Sequence, residues 1–97
     1  MKIFAWSAEK NVLLKAERGV CFEDVVFYLE AGQVLELINH PNQDRYPGQM
    51  IYVVAIEGYV YLVPFVENEE EVFLKTIIPS RKATKQYNSG LKGGLND

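Results

Sequence analysis

The sequence predicts a single α+β domain: an antiparallel sheet of four to five strands, with two N-terminal helices packed on it and a short C-terminal helix. Two observations lead to this prediction. The spacing of apolar residues changes after Gly32, from a helical period to strand-like runs. Several of these runs are joined by short turns, which favours antiparallel neighbours. The 97 residues are enough for one hydrophobic core.

The N-terminal third of the chain predicts one strand and two helices. Lys2 to Trp6 is a short apolar run suited to a first strand. Ser7 is a suitable N-cap for a helix over Ala8 to Glu17, and Gly19 can end that helix in the left-handed conformation. A second helix is expected from Phe22 to Ala31, because its apolar residues recur at helical spacing.

The middle of the chain predicts four strands: Val34 to Ile38, Met50 to Ile56, Tyr59 to Val66 and Val72 to Ile78. Two prolines, two asparagines and a glycine make residues 39–48 a loop. Glu57-Gly58 is a short-hairpin signal. Pro64 has no backbone N–H, so we expect its strand to be an edge strand or to be bulged there.

The C-terminal segment predicts a short helix and a tail. Pro79 ends the last strand, and Ser80 can cap a helix that runs through Tyr87. Asn88-Ser89-Gly90 is expected to break this helix. We therefore expect a folded domain over residues 1–88 and a flexible tail over residues 89–97.

Composition favours a cytoplasmic protein without a membrane segment. Cys21 is the single cysteine, so no intrachain disulfide can form, which fits a reducing cytosol. The N-terminus meets Ser7 and Glu9 too soon for the core of a signal peptide. The longest apolar stretch, Met50 to Val66, is interrupted by Glu57-Gly58 and Pro64, so we expect strands there and no membrane span.

The charge is divided unevenly along the chain. Residues 1–74 carry five Lys and Arg against twelve Asp and Glu, whereas residues 75–97 carry five Lys and Arg against one Asp. An acidic body with a basic end suggests a phosphate-facing patch or a surface for an oppositely charged partner. A solvated, lysine-bearing tail is the alternative interpretation.

Self-sufficient catalytic motifs are absent from the sequence. It contains no P-loop, no dinucleotide glycine fingerprint and no nucleophile elbow, and one histidine cannot form a multi-histidine zinc site. No cofactor and no metal are therefore predicted. His40 lies in the polar loop near Arg45 and Tyr46, where it is either a general acid or base or simply an exposed side chain.

Ser80 to Tyr87 is the chemically richest run. On a helix Arg81 and Lys85 share a face, with Thr84 beside them. Two cations and a hydroxyl at a helix start can bind a phosphate. The alternative is a capped, solvated helix end in which Tyr87 packs on the sheet.

Four short motifs, in this order, are similar to those of a known toxin family: Phe4-Ala5-Trp6 with Glu9-Lys10-Asn11, Gly19-Val20-Cys21-Phe22-Glu23-Asp24, Asp44-Arg45-Tyr46 with Gly48, and Ile77-Ile78-Pro79-Ser80-Arg81-Lys82-Ala83-Thr84. From Phe4 to Tyr87 the chain resembles the BrnT family, toxins of bacterial type II toxin–antitoxin modules with a RelE/ParE-like fold.

The resemblance implies a metal-independent endoribonuclease that blocks translation by cleaving messenger RNA, free or on the ribosome. It also implies neutralisation by a small DNA-binding antitoxin, typically of the ribbon-helix-helix type. Attack by the RNA 2′-hydroxyl on the adjacent phosphate needs a base, an acid and cations that stabilise the developing charge. The expected residues are Arg45, Arg81 and Lys85 as catalytic cations, His40, Tyr46 and Tyr87 for proton transfer or stacking, and Lys75, Lys82 and Thr84 as RNA contacts. These groups must converge from the loop and the helix.

The chain departs from the family pattern at several positions. It has Glu17-Arg18 where the family has Lys-His, Pro79-Ser80 where it has Ser-Ala, and Thr76 where it has an arginine. Lys75 is adjacent but faces the opposite side of a strand. These departures reduce the positive charge. They motivate an alternative hypothesis, a non-catalytic protein-interaction module that retains the toxin fold; a regulatory domain unrelated to toxins is a third.

Overall fold

The structure is a computed structural model that describes the backbone over residues 2–96 and the side chains over residues 2–89. The fold is α+β, with three helices and one mixed sheet in this part of the chain. The elements are β1 (Ile3–Ala5), α1 (Ala8–Arg18), α2 (Phe22–Glu30), β2 (Val34–Asn39), β3 (Met50–Ile56), β4 (Tyr59–Glu67), β5 (Glu71–Leu74), β6 (Ile78–Pro79) and α3 (Arg81–Asn96).

The caps of the first two helices confirm the sequence prediction. The backbone N–H of Lys10 donates to Ser7 Oγ over 3.2 Å, which satisfies one of the free donors at the start of α1. Gly19 ends α1 at φ 70°, and its N–H donates to the Lys15 carbonyl over 3.0 Å. Gly32 follows α2 at φ 74°. Left-handed conformations of this kind favour glycine because it has no Cβ.

Asn11 joins the two helices. Its Oδ1 accepts the Phe22 backbone N–H over 2.7 Å, and its Nδ2 donates to Glu23 Oε1 over 2.7 Å. At the same turn, Asp24 Oδ2 accepts the Cys21 backbone N–H over 3.1 Å. The start of α2 is therefore held by a side chain of α1 as well as by Asp24 of its own first turn.

Asn11→Ala is expected to lower the free energy of unfolding by about 1–2 kcal/mol, because the partly buried Phe22 N–H loses its acceptor. Urea denaturation of the wild type and the variant measures this loss. Asn39→Ala is a suitable control, since Asn39 is exposed on β2. Equal losses in the two variants would contradict a linking role for Asn11.

The hydrogen bond between Asn11 and Glu23 also makes the stability of the α1–α2 connection depend on pH. The hydrogen bond from Asn11 lowers the pKa of the Glu23 carboxyl below its ordinary value of 4.5. A carboxyl with a lowered pKa in the folded state stabilises the fold above the unfolded pKa. This contribution is expected to disappear as the pH falls through the folded pKa, and Asn11→Ala should remove that part of the acid dependence.

The sheet is mixed, so the prediction of a wholly antiparallel sheet is wrong at one edge. The strand order is β1-β5-β4-β3-β2, and β1 lies parallel to β5, with Ile3 opposite Glu71. The other pairs along this path are antiparallel. A strand can lie parallel to a later one only if the chain crosses over between them, and α1 and α2 are part of that connection.

The predicted strand Val72 to Ile78 is divided into β5 and β6, which pair with different parts of β4. Between them Ile77 turns into the core, where it is fully buried. The Arg18 guanidinium donates to the Ile77 carbonyl and so binds this break to the end of α1. The break between β5 and β6 is therefore held by a hydrogen bond between residues far apart in the sequence, which the local sequence pattern cannot indicate.

Pro64 lies beside this break. The prediction of an edge strand is wrong, because β4 pairs with β3 on one side and with β5 and β6 on the other. The N–H of Lys75 donates to the Pro64 carbonyl over 2.8 Å. A bulge was the other expectation for β4. The irregularity lies instead in the strand beside Pro64, where the chain passes from β5 to β6. A separate register shift lies in β2, between Val34 and Glu36.

Helices cover both faces of the sheet. The face under α1 and α2 contains the main core: Leu14, Val20, Phe22, Val25, Val54, Ile56, Val63, Phe65, Val72, Leu74 and Ile77. Side chains alternate along a strand, so the neighbouring residues Val53, Val60 and Leu62 point to the other face. There they line a groove with Ala83 and Tyr87 of α3.

The third helix is longer than predicted. It runs from Arg81 to Asn96, past the expected stop at Asn88 to Gly90. Glycine lowers helix propensity by about 1 kcal/mol but keeps its backbone N–H, so it does not force a stop as proline does. The flexibility expected for residues 89–97 stays a prediction; Asp97 and the side chains of 90–96 lie outside the described residues. No helix within residues 2–96 is long and apolar enough to cross a membrane.

Candidate functional site

The first turn of α3 is fixed to the sheet through Ser80. The Ala83 N–H donates to Ser80 Oγ over 3.1 Å, which confirms the predicted cap. The Ser80 N–H donates to the Val60 carbonyl over 3.0 Å, which joins the cap to β4. The position of the helix start on the sheet is therefore set by backbone and side-chain bonds together.

Thr84 has a structural role that the sequence did not indicate. Its hydroxyl donates to the Ser80 carbonyl over 2.7 Å and accepts the Val60 N–H over 2.8 Å. The hydroxyl expected to contact RNA is therefore occupied inside the protein. Strand and helix meet here from distant parts of the chain, so no local signal could have predicted this bond.

Arg81 and Lys85 share a face of α3, as their spacing predicted. Both are exposed and line a cavity of about 420 Å³. Tyr59, Thr84 and Asn88 also line it. Neither forms an ion pair with a described carboxylate; the ion pair found between described side chains joins Lys2 and Glu67 at 2.5 Å. We call Arg81, Lys85 and Tyr59 the α3 cationic site. The position of Tyr59 in it was missed, because it depends on where α3 crosses the sheet.

The remaining α3 residues divide between solvent and sheet. Tyr87 is half-buried and lines the apolar groove with Leu35, Ile38 and Val53, so it packs on the sheet away from the cationic site. Lys82 is exposed. Of the expected α3 cations, Arg81 and Lys85 thus lie together beside one open cavity.

The loop of residues 39–48 brings together three other expected residues. The rings of His40 and Tyr46 lie 4.4 Å apart between centroids, and the Arg45 guanidinium carbon lies 5.8 Å from the Tyr46 centroid. The Asn42 N–H donates to His40 Nδ1 over 3.0 Å, and the Tyr46 N–H donates to the Asn42 carbonyl over 2.9 Å. We call His40, Arg45 and Tyr46 the loop cluster.

Lys75 belongs to neither group. It lies just after β5, exposed, with its ammonium 5.7 Å from the centroid of the Phe73 ring. Its backbone is fixed by the bond to Pro64. A cation beside an aromatic face gains a modest attraction, which holds Lys75 at the surface of the sheet.

The loop cluster and the α3 cationic site lie at different ends of the β3–β4 hairpin. The loop runs into Met50, which is opposite Phe65, whereas α3 begins beside Val60, which is opposite Ala55. Met50 and Ala55 are five steps apart along β3, about 17 Å at 3.4 Å per residue. Within residues 2–89 no hydrogen bond, ion pair or ring contact joins the two groups. The convergence expected from the sequence is not formed in this structure.

Among the residues that the structure describes, no three His, Cys, Asp or Glu side chains lie together as metal ligands. Comparisons of the chain with protein-family models, curated proteins and solved structures found no match.

Proposed function

We propose that the chain is a toxin of a type II toxin–antitoxin module, with a BrnT-like sequence and a RelE/ParE-like fold. It acts on RNA in the cytoplasm and is neutralised by a small DNA-binding antitoxin. The observation that carries this proposal is the α3 cationic site, in which Arg81 and Lys85 lie free of described carboxylates beside Tyr59.

The chemistry of this site suits an RNA backbone. Arginine can donate two parallel hydrogen bonds to one phosphate, and lysine adds a second positive charge. The positive end of the α3 dipole lies at Arg81 and also favours an anion near this side chain. Tyr59 offers a ring on which a base can stack. These residues can hold a phosphate and its adjoining base together.

Cleavage places a further demand on the molecule. A base and an acid must come within hydrogen-bonding distance of the 2′-hydroxyl and the leaving oxygen. The loop cluster holds His40 and Tyr46, but it lies about 17 Å along the hairpin from the start of α3. An endoribonuclease reaction that uses both groups therefore requires α3 and the loop to approach each other on RNA.

This separation favours a second candidate function, a non-catalytic module that retains the toxin fold and binds a partner without cleaving RNA. Incubating the purified protein with ribosomes and messenger RNA, followed by primer extension, distinguishes the two. New 5′ ends at defined positions would support the endoribonuclease. Tight partner binding with intact RNA would support the module.

Arg81→Ala is expected to relieve growth inhibition and to weaken RNA binding about tenfold, because one charge-assisted phosphate contact is lost. The measurements are the growth of cells that express each protein and RNA affinity by fluorescence anisotropy. Lys10→Ala removes an exposed cation from α1 and is the control. Normal growth with folded wild-type protein, or equal toxicity of Arg81→Ala, would contradict the proposal.

A further inference from the structure

A second cavity, of about 320 Å³, lies between the end of α1, the side of α2 and the turn that joins β3 to β4. Three tyrosines line it, Tyr28 from α2 and Tyr59 and Tyr61 from β4. We call it the tyrosine cavity. Tyr59 also lines the α3 cationic site, so the two cavities share one side chain.

The tyrosine rings form walls at an angle to each other. The centroids of Tyr59 and Tyr61 lie 5.5 Å apart and their planes are inclined by 57°. Tyr28, Tyr59 and Tyr61 are all half-buried, and atoms of each line the cavity. Aromatic faces carry negative electrostatic potential and attract cations, most strongly where water is partly excluded.

Carboxylates outnumber ammonium groups around this cavity. Asp24 and Glu57 line it, against Lys15 as the cation. Burial raises the pKa of Tyr61, and the charges of Tyr59, Glu57 and Asp24 add to that effect. Glu57 is exposed, at φ 51° in the tight turn, whereas Asp24 already accepts from the Cys21 N–H. Glu57 is therefore the freer of the two carboxylates to bind a ligand.

We propose that the tyrosine cavity binds a guanidinium or ammonium group, and that its occupant is an arginine side chain of a basic polypeptide. A planar guanidinium can stack on a tyrosine ring while it pairs with Glu57. The acidic body of the chain, with twelve carboxylates in residues 1–74 against five cations, attracts such a partner. The lining of this cavity carries a net negative charge, opposite to the α3 cationic site, and the inference does not depend on RNA binding.

The test is an NMR titration of the full chain with N-acetyl-arginine amide, with N-acetyl-citrulline amide as a neutral probe of nearly the same shape. Arginine is expected to shift the signals of Tyr28, Tyr59 and Tyr61, and citrulline is not. Glu57→Gln is expected to weaken arginine binding roughly fivefold, and Glu69→Gln, which removes an equal charge from the β4–β5 turn, should leave it unchanged.

A substitution of Lys15 is expected to change arginine affinity in the opposite direction to Glu57→Gln. Lys15→Gln removes the ammonium that lines the cavity, so arginine is expected to bind roughly twofold more tightly. Tyr59→Phe should retain binding, whereas Tyr59→Leu should lose it, because the ring supplies the attraction and the hydroxyl does not. Equal binding of arginine and citrulline, or equal effects of Glu57→Gln and Glu69→Gln, would overturn the proposal.

The source of the cation is tested with two further probes. Tighter binding of the capped peptide Gly-Arg-Gly than of agmatine supports a polypeptide partner, and the reverse overturns that assignment in favour of a free amine. Glu57→Gln should still inhibit growth, since Glu57 lies outside the α3 cationic site. Arginine binding by a protein that does not inhibit growth would reject the toxin proposal alone, and growth inhibition without arginine binding would reject this inference alone.

Discussion

Phe22→Ala is expected to remove most of the stability of the fold, about 3–5 kcal/mol. Phe22 is fully buried at the start of α2, and its ring stacks on Trp6 with centroids 5.7 Å apart. Truncation removes this contact and leaves a cavity where β1, α2 and the sheet meet. A domain of ordinary stability has about 5–15 kcal/mol in total, so the midpoint of urea denaturation should fall sharply.

Phe27→Ala is the matched control, since Phe27 lies on the same helix and is 68% exposed. Its loss should stay within about 0.5 kcal/mol. Similar losses for the two variants would mean that the core is not organised around Phe22. A folded Phe22→Ala protein with wild-type stability would contradict the packing described here.

Thr84→Val is expected to cost about 1–3 kcal/mol and to weaken RNA binding as well. The substitution keeps the shape of the side chain but leaves the buried Val60 N–H without its acceptor. The same hydroxyl holds the first turn of α3, so Arg81 and Lys85 lose their fixed position on the sheet. Urea denaturation measures the first effect and fluorescence anisotropy with RNA the second.

Thr84→Ser separates the hydroxyl from the methyl group and should restore most of both properties. Thr76→Val tests the same chemical change at a partly buried threonine in the β5–β6 connection. Weakened RNA binding in Thr84→Val with unchanged stability would show that the hydroxyl acts on the ligand directly. That result would contradict its role as an anchor of α3.

The helices could be predicted because their signals are local. Ser7, Gly19 and Gly32 act within one turn of the helix ends that they define, and the structure has them in these roles. The end of α3 was missed for a related reason. Asn88-Ser89-Gly90 weakens a helix without forbidding it, and propensity alone does not decide where such a helix stops.

The errors in the sheet have a different cause. Whether Pro64 lies on an edge depends on which strands flank β4, and the parallel pairing of β1 depends on a strand far along the chain. The break between β5 and β6 depends on Arg18. Hydrophobic periodicity reports the face of a strand, but not the identity of its neighbours.

The residues of the candidate site could be predicted from the sequence, but their positions relative to one another could not. The spacing of Arg81 and Lys85 fixes their common face on any helix, and the structure places both beside one cavity. The distance between this face and His40 depends on the hairpin register and on where α3 crosses the sheet. The tyrosine cavity also escaped prediction, because α2 supplies one ring and β4 the other two.

The pairing of β1 with β5 has a consequence for how the protein is made. Ile3 is synthesised well before the residues whose backbone groups it pairs with, Glu71 and its neighbours. Until those residues are synthesised, the first strand has no hydrogen-bonding partner, and the core under α1 and α2 lacks Val72, Leu74 and Ile77. Such long-range contacts slow folding and expose apolar surface during translation. The core can therefore close only after β5 and Ile77 have emerged from the ribosome.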